Sequence, residues 1–146
     1  MTAARRVVLG GVAIAAADVV LLTAFWWPRG VHLDRILRHI AAGLFGAKTS
    51  DVFVAIGLVL HVAFAIAFVA IYELVARRAP ALRRQWWLFG APYGLVVWAG
   101  MTFAVTPLSR IGYQGVGKNV AWIALSLAFH AIVVGLGSAF VARSRV

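Results

Sequence analysis

The sequence predicts an all-α membrane protein, a four-transmembrane-helix bundle forming a single integral membrane domain over residues 1–146. Three observations predict it. The chain is 64% hydrophobic with a mean hydropathy of +0.95, against an apolar share of ~45–50% in ordinary soluble domains. It contains four apolar runs of about the ~20 residues that a helix needs to cross a bilayer. Its charges gather between those runs, as the pairs Arg5-Arg6, Arg77-Arg78 and Arg83-Arg84, which is where head-group anchors belong.

The first span is predicted over Val7–Trp27. "RR", an apolar stretch and "AAA" give it the look of a signal peptide. The apolar run continues through "VVLLTAFWW", however, which is too long for an h-region, so a retained helix is expected. Pro28 closes it. The first loop, "VHLDRILRHIAAGLFG" (Val31–Gly46), places Leu33, Ile36, Leu37, Ile40 and Leu44 on one side of a helix and His32, Arg35, Arg38 and His39 mostly on the other. That pattern predicts an interfacial amphipathic helix over about residues 31–46. The second span is Val52–Ala76. The third, Trp86–Thr106, carries Pro92 early, which predicts a kink, and ends at Pro107. A Gly-rich loop, "PLSRIGYQGVGKN", leads to the fourth span, Val120–Ala142. Trp26-Trp27, Trp86-Trp87 and Trp122 fall at span ends, where amphipathic rings favour the head-group layer.

The net charge of +10 rests on twelve Arg and two Lys. Its placement argues for the lipid bilayer and anionic lipid head groups as partners and against nucleic acid. With no Cys, disulfides and thiolate metal or cluster sites are excluded. "GYQGVG" is no dinucleotide fingerprint, because no strand precedes it. If the N-terminus is cytoplasmic, eight Arg face the cytoplasm and six Arg or Lys face outward, which favours both termini inside. The chain also reads as a diverged two-fold repeat. Aligning Pro28 with Pro107 pairs Gly11 with Gly90 and Thr23 with Thr102, and aligning His61 with His130 pairs the second span with the fourth.

Three ionisable residues, Asp18, His61 and His130, fall deep inside spans. At ~1.5 Å rise per residue each lies about 15 Å from a helix end, near the midplane of a ~30 Å core. A lone carboxylate there costs about 2.5–3.5 kcal/mol on insertion scales, so Asp18 needs a partner. Glu73 differs: near the helix end it can pair with Arg77. Small neighbours (Gly57, Ala65, Ser126) let another helix or a ligand approach the histidines, Gly90 and Gly94 suit helix packing, and Tyr93, Trp98 and Thr102 are further polar partners.

Three readings of this cluster compete. In the favoured one, an Asp–His hydrogen bond and a second bonded histidine hold the helices together. In the next, His61 and His130 ligate a haem b for electron transfer, with Gly57 making room for the ring and Arg wanted for the propionates. In the third, Asp18, His61 and His130 form a proton or metal-ion relay, although no charged line continues to either surface. His32 and His39, seven apart, share one wetted helical face. No pair or motif supports catalysis, so the predicted role is a non-enzymatic accessory or scaffolding subunit, alongside other membrane subunits or a second copy of the chain.

At "RILRHIAAGLFG", "LVLHVAFAIAFVAIYELVARR", "TPLSR" and "LAFHAIVVGL" the chain resembles a family of small four-helix bacterial inner-membrane proteins, over about residues 36–143. The resemblance implies the fold and a bacterial inner-membrane location, and it includes His61, His130 and the "PLS" after the third helix. Asp18 lies outside the matched stretch. No activity attaches to the family.

Overall fold

A computed structural model describes residues 2–112, 114–115 and 117–143. Arg145, and Tyr113 and Val116 of the second loop, lie outside the described residues. Helix α1 runs Ala3–Trp26, begun by the Thr2 hydroxyl accepting Arg5 N–H at 3.3 Å. It ends in a 3₁₀ turn at Pro28, and Gly30 then takes φ 77°, a left-handed conformation that suits glycine. Helix α2 runs Leu33–Phe45 and α3 Val52–Arg78. A short helix α4, Pro80–Arg84, turns the chain. Helices α5 and α6 run Trp86–Leu108 and Val120–Arg143, the latter capped by the Asn119 side chain accepting Trp122 N–H at 3.0 Å.

Helices α1, α3, α5 and α6 are long and apolar enough to cross a membrane. The four predicted spans agree with them to within four residues at every end. Their outer faces stay apolar: Val20, Val59, Val96 and Val120 are 68%, 68%, 68% and 76% exposed. Apolar exposure on that scale fits a surface solvated by lipid.

Contact in the bundle is made by backbone rather than by large side chains. A Cβ added to Gly11 would lie 2.5 Å from Ile66 Cα, which sets the α1–α3 crossing. On α5, a Cβ at Gly94 would lie 1.8 Å from His130 O, and one at Gly135 of α6 would lie 2.2 Å from Gly90 O. The two crossings obey the same alignment. The pairing of Pro28 with Pro107 also pairs Gly11 with Gly90 and Ala15 with Gly94, while that of His61 with His130 also pairs Ile66 with Gly135. The repeat therefore holds at the level of helix contacts: Gly11 on Ile66 matches Gly90 on Gly135, and Ala15 beside His61 matches Gly94 beside His130. Helix α6 also packs on α3 and α1, so α3 and α6 sit centrally.

The backbones of α3 and α5 stand apart. They meet where Tyr93 Oη donates to Phe68 O at 2.6 Å and the Tyr72 and Tyr93 rings lie edge-on at 5.0 Å. Toward the termini, Glu73 is buried and accepts from Arg77 Nε as predicted, and also from Arg83 Nη2, both at 3.2 Å. Tyr72 Oη donates to Leu82 O at 3.1 Å, which ties α4 to α3.

The structure adds detail at two places. Helix α2 buries Leu37, Ala41 and Ala42, not the full predicted stripe, and Leu44 is 54% exposed. The reason is Gly57: a Cβ there would lie 1.9 Å from Leu37 O, so α2 presses its backbone onto α3 instead of only floating at the interface. Arg38 bonds Asp34 and reaches Asp51 at 2.7 Å, joining α2 to the start of α3. The Arg38 guanidinium holds the Asp34 carboxyl below its usual range. The Asp34–Arg38 pair within α2 is therefore fully present above the ordinary aspartate range and is lost as pH falls through the lowered value. Helix α5 continues through Pro92 without a break. Its irregularity comes later, at a π-helical widening over Met101–Val105 just before Pro107, whose missing N–H and ring disturb the preceding turn. A second widening spans His130–Leu136 of α6.

Gly94→Leu should separate α5 from α6 and lower thermal stability by more than the ~1–3 kcal/mol of ordinary overpacking, read as loss of the monodisperse species on heating. Gly43→Ala, whose Cβ would meet nothing nearer than 3.7 Å, should be tolerated in the same assay.

Candidate functional site

The gap between α3 and α5 forms a cavity of about 630 Å³ in the half of the bundle nearest α2. Its back wall is α1 and α6, through Ile14, Ala15, Asp18, Phe129, His130 and Val134. Its sides are Leu60, His61, Phe64 and Phe68 of α3 and Met101, Val105 and Leu108 of α5. Its roof is the segment His39–Leu44 of α2 with Ser109–Ile111 of the second loop. The Arg110 N–H donates to Gly43 O at 2.8 Å and so fastens the two roof segments together.

The structure brings Asp18, His61 and His130 to this one cavity, as their common depth predicts. Small residues make this possible. Ala15 lets the His61 ring reach α1, and Gly94 lets α6 approach α5 at His130. His61 Nε2 lies 3.3 Å from Ala15 O and 3.5 Å from Asp18 Oδ2. The Ala15 carbonyl only accepts, so in this contact Nε2 carries the proton. The His61 and Asp18 side chains are 13% and 23% exposed, and both line the cavity. His130 Nδ1 lies 2.8 Å from Ser126 O, one turn back on its own helix. The proton is then on Nδ1, and Nε2 is left as an acceptor.

His130 stands between this cavity and a smaller one of about 360 Å³, lined also by Trp98, Thr102, Thr106, Trp122 and Ser126. There Trp98 Nε1 donates to Ser126 Oγ at 3.1 Å. His39 lines both cavities.

This arrangement bears on each reading of the cluster. Among the described residues, no three His, Asp, Glu or Cys converge so as to hold a metal ion. A bis-histidine haem needs a free nitrogen on each ring turned to one iron. His130 offers Nε2 and His61 offers Nδ1, since its Nε2 is turned to Ala15 O of α1. Gly57 does not make room for a ring, because α2 fills that space. What the geometry contains is His61 hydrogen-bonded to Ala15 O with the Asp18 carboxyl 3.5 Å away.

The roof is what sequence reasoning misses. His32 and His39 do not act together: the His32 ring sits edge-on to Trp27 at 4.4 Å, while His39 faces the cavity. Arg110, Ser109 and Thr106 also line it, so polar groups do continue from the buried cluster toward the surface. The available signal was "TPLSR", read as a span end, a topological charge and part of a family resemblance. No protein-family model, no curated protein and no solved structure matches the chain.

A double-mutant cycle of Asp18→Ala and His61→Ala should give a coupling energy of about 0.6 kcal/mol, the usual size of an interhelical polar contact, measured by reversible unfolding in mixed micelles. The cycle of Asp18→Ala with His130→Ala should give clearly less. Zero coupling in the first cycle removes the pair as a tie between α1 and α3.

Proposed function

We propose that the chain is a non-enzymatic accessory or scaffolding protein of the bacterial inner membrane whose bundle holds a ligand in the larger cavity. The observation that carries this reading is the convergence of Asp18, His61 and His130 on a cavity of about 630 Å³ between transmembrane helices. Ligand sites are concave and mostly apolar, with few polar groups. The polar groups here bond to the protein itself, which suits a role in positioning the walls.

The rival is a haem b on His61 and His130. In its favour, both rings and Arg110, a partner for propionates, line one cavity. The test is the visible spectrum of the full chain from haem-replete cells, oxidised and dithionite-reduced. A colourless protein is expected. A Soret band lost in His61→Ala and His130→Ala would replace the present reading with electron transfer.

Orientation follows the arginines, with both termini in the cytoplasm and α2 outside. The chain has no Cys, so an introduced one is unique. Lys48→Cys in intact cells should be labelled by a membrane-impermeant maleimide and Arg84→Cys only after lysis. The opposite pattern inverts the topology.

A further inference from the structure

We propose that the larger cavity is a site for one anionic amphiphile of the leaflet on the α2 side. Its chain enters sideways between α3 and α5, and its head group is held by Arg110 and His39. The inference rests on the reading that the cavity holds a ligand, and it names the ligand's class and route.

The route follows from packing. The α3 and α5 backbones stand apart, while each is in backbone contact with another helix at glycine. Their gap is therefore the open side of the cavity. It is walled by Leu60, Phe64 and Phe68 against Met101, Val105 and Leu108. Val105 and Leu108 are 40% and 88% exposed, which places the open side toward lipid. The Tyr93–Phe68 hydrogen bond closes the gap at its deep end. Phe68 to Leu60 is two helical turns, about 12 Å, close to the depth of one leaflet of a ~30 Å core. The walls match a single acyl chain in both length and chemistry.

The class follows from the polar groups. At the floor, His61 and His130 bond backbone carbonyls and Asp18 lies 3.5 Å from His61, so the floor offers no Arg or Lys to an anionic head group. The roof is different. Among the described residues, the Arg110 side chain has no hydrogen-bond or ion-pair partner, nor has the His39 ring. Arg110 is held in place by its own backbone bond to Gly43. Arg38, the neighbouring cation on α2, is already matched by Asp34 and Asp51. An unmatched guanidinium at head-group level over an apolar slot suits a phosphate-bearing amphiphile, since guanidinium matches phosphate in charge and geometry.

The test uses the full chain in nanodiscs with equal phosphatidylglycerol and phosphatidylcholine, released gently into the gas phase for native mass spectrometry. One retained lipid per chain is expected, with phosphatidylglycerol preferred. Arg110→Ala should reduce that preference about fivefold, the effect of one basic residue near a surface. Val105→Trp, which fills the slot, should reduce retention of both lipids. Leu60→Trp on the facing wall repeats that test should the first variant fail to fold, as judged by elution and helical circular dichroism. Retention that both Trp variants abolish, but without any lipid preference or any effect of Arg110→Ala, overturns the anionic class and leaves the cavity reading standing. Retention that neither folded Trp variant changes places the lipid on the outer surface and overturns the cavity reading as well.

Discussion

Backbone contact at glycine is the constraint from which the rest of this structure follows. In lipid there is no hydrophobic gain from helix against helix, so association depends on close van der Waals approach and a few polar bonds. Gly11 provides it between α1 and α3, Gly90, Gly94 and Gly135 between α5 and α6, and Gly57 between α2 and α3. Helix α3 is thereby committed to α1 and α2, and α5 to α6. Toward each other α3 and α5 present bulky rings and chains, with Tyr93 reaching Phe68 at one level only. A bundle closed on its glycine faces leaves its glycine-free seam open, and that seam is the cavity.

The buried polar cluster sits where this arrangement lets it be satisfied. Asp18 would be costly on any lipid-facing surface. On α1 it points to the back of the cavity, beside a ring that α3 delivers because Gly11 has already brought the helices together. The Asp18–His61 separation of 3.5 Å is loose for a strong ion pair, and the Nε2 proton is shared with Ala15 O. Such a contact fixes the rotation of α3 against α1 more than it stabilises either helix. His130 is tied to its own helix instead through Nδ1, which leaves its Nε2 free to meet an occupant of either cavity.

Much of this was legible in the sequence, for physical reasons. Four apolar runs of bilayer length have few alternative folds, and the depth of a residue follows from counting along a helix. That is why the common level of Asp18, His61 and His130, the Glu73–Arg77 pair and the packing role of Gly90 and Gly94 could be read in advance. Rotation about each helix axis could not, since the spans are apolar on every side and have no stripe to orient them. Hence the sequence could not tell that His61 turns to α1 and His130 to its own carbonyl. Helix α2 was legible as an amphipathic element, but its seat was not. Its amphipathic stripe describes a helix against a flat interface, but the surface it meets is the notch at Gly57, so the close contact is made by Leu37 and Ala41 while Leu44 is left exposed. His39 and Arg110 were read as wetted charges because nothing local signals that two loops share a roof.

The repeat gives a further argument for where this protein's particular chemistry lies. Two equal halves would present matching surfaces on either side of the bundle, and the helix contacts do match. The departures from symmetry are therefore informative. Helix α2 has no counterpart among the described residues of the second loop. Asp18 aligns with Val97, an apolar core residue. The π-helical widenings at Met101–Val105 and His130–Leu136 occur in the second half, and the aligned stretches of α1 and α3 are regular helix. Such widenings are frequent at functional sites. Each of these departures contributes side chains to the same cavity: His39 and Leu44, Asp18, Met101 and Val105, His130 and Val134. The asymmetric part of the chain is thus gathered in one place, around the cavity in which a bound molecule would sit.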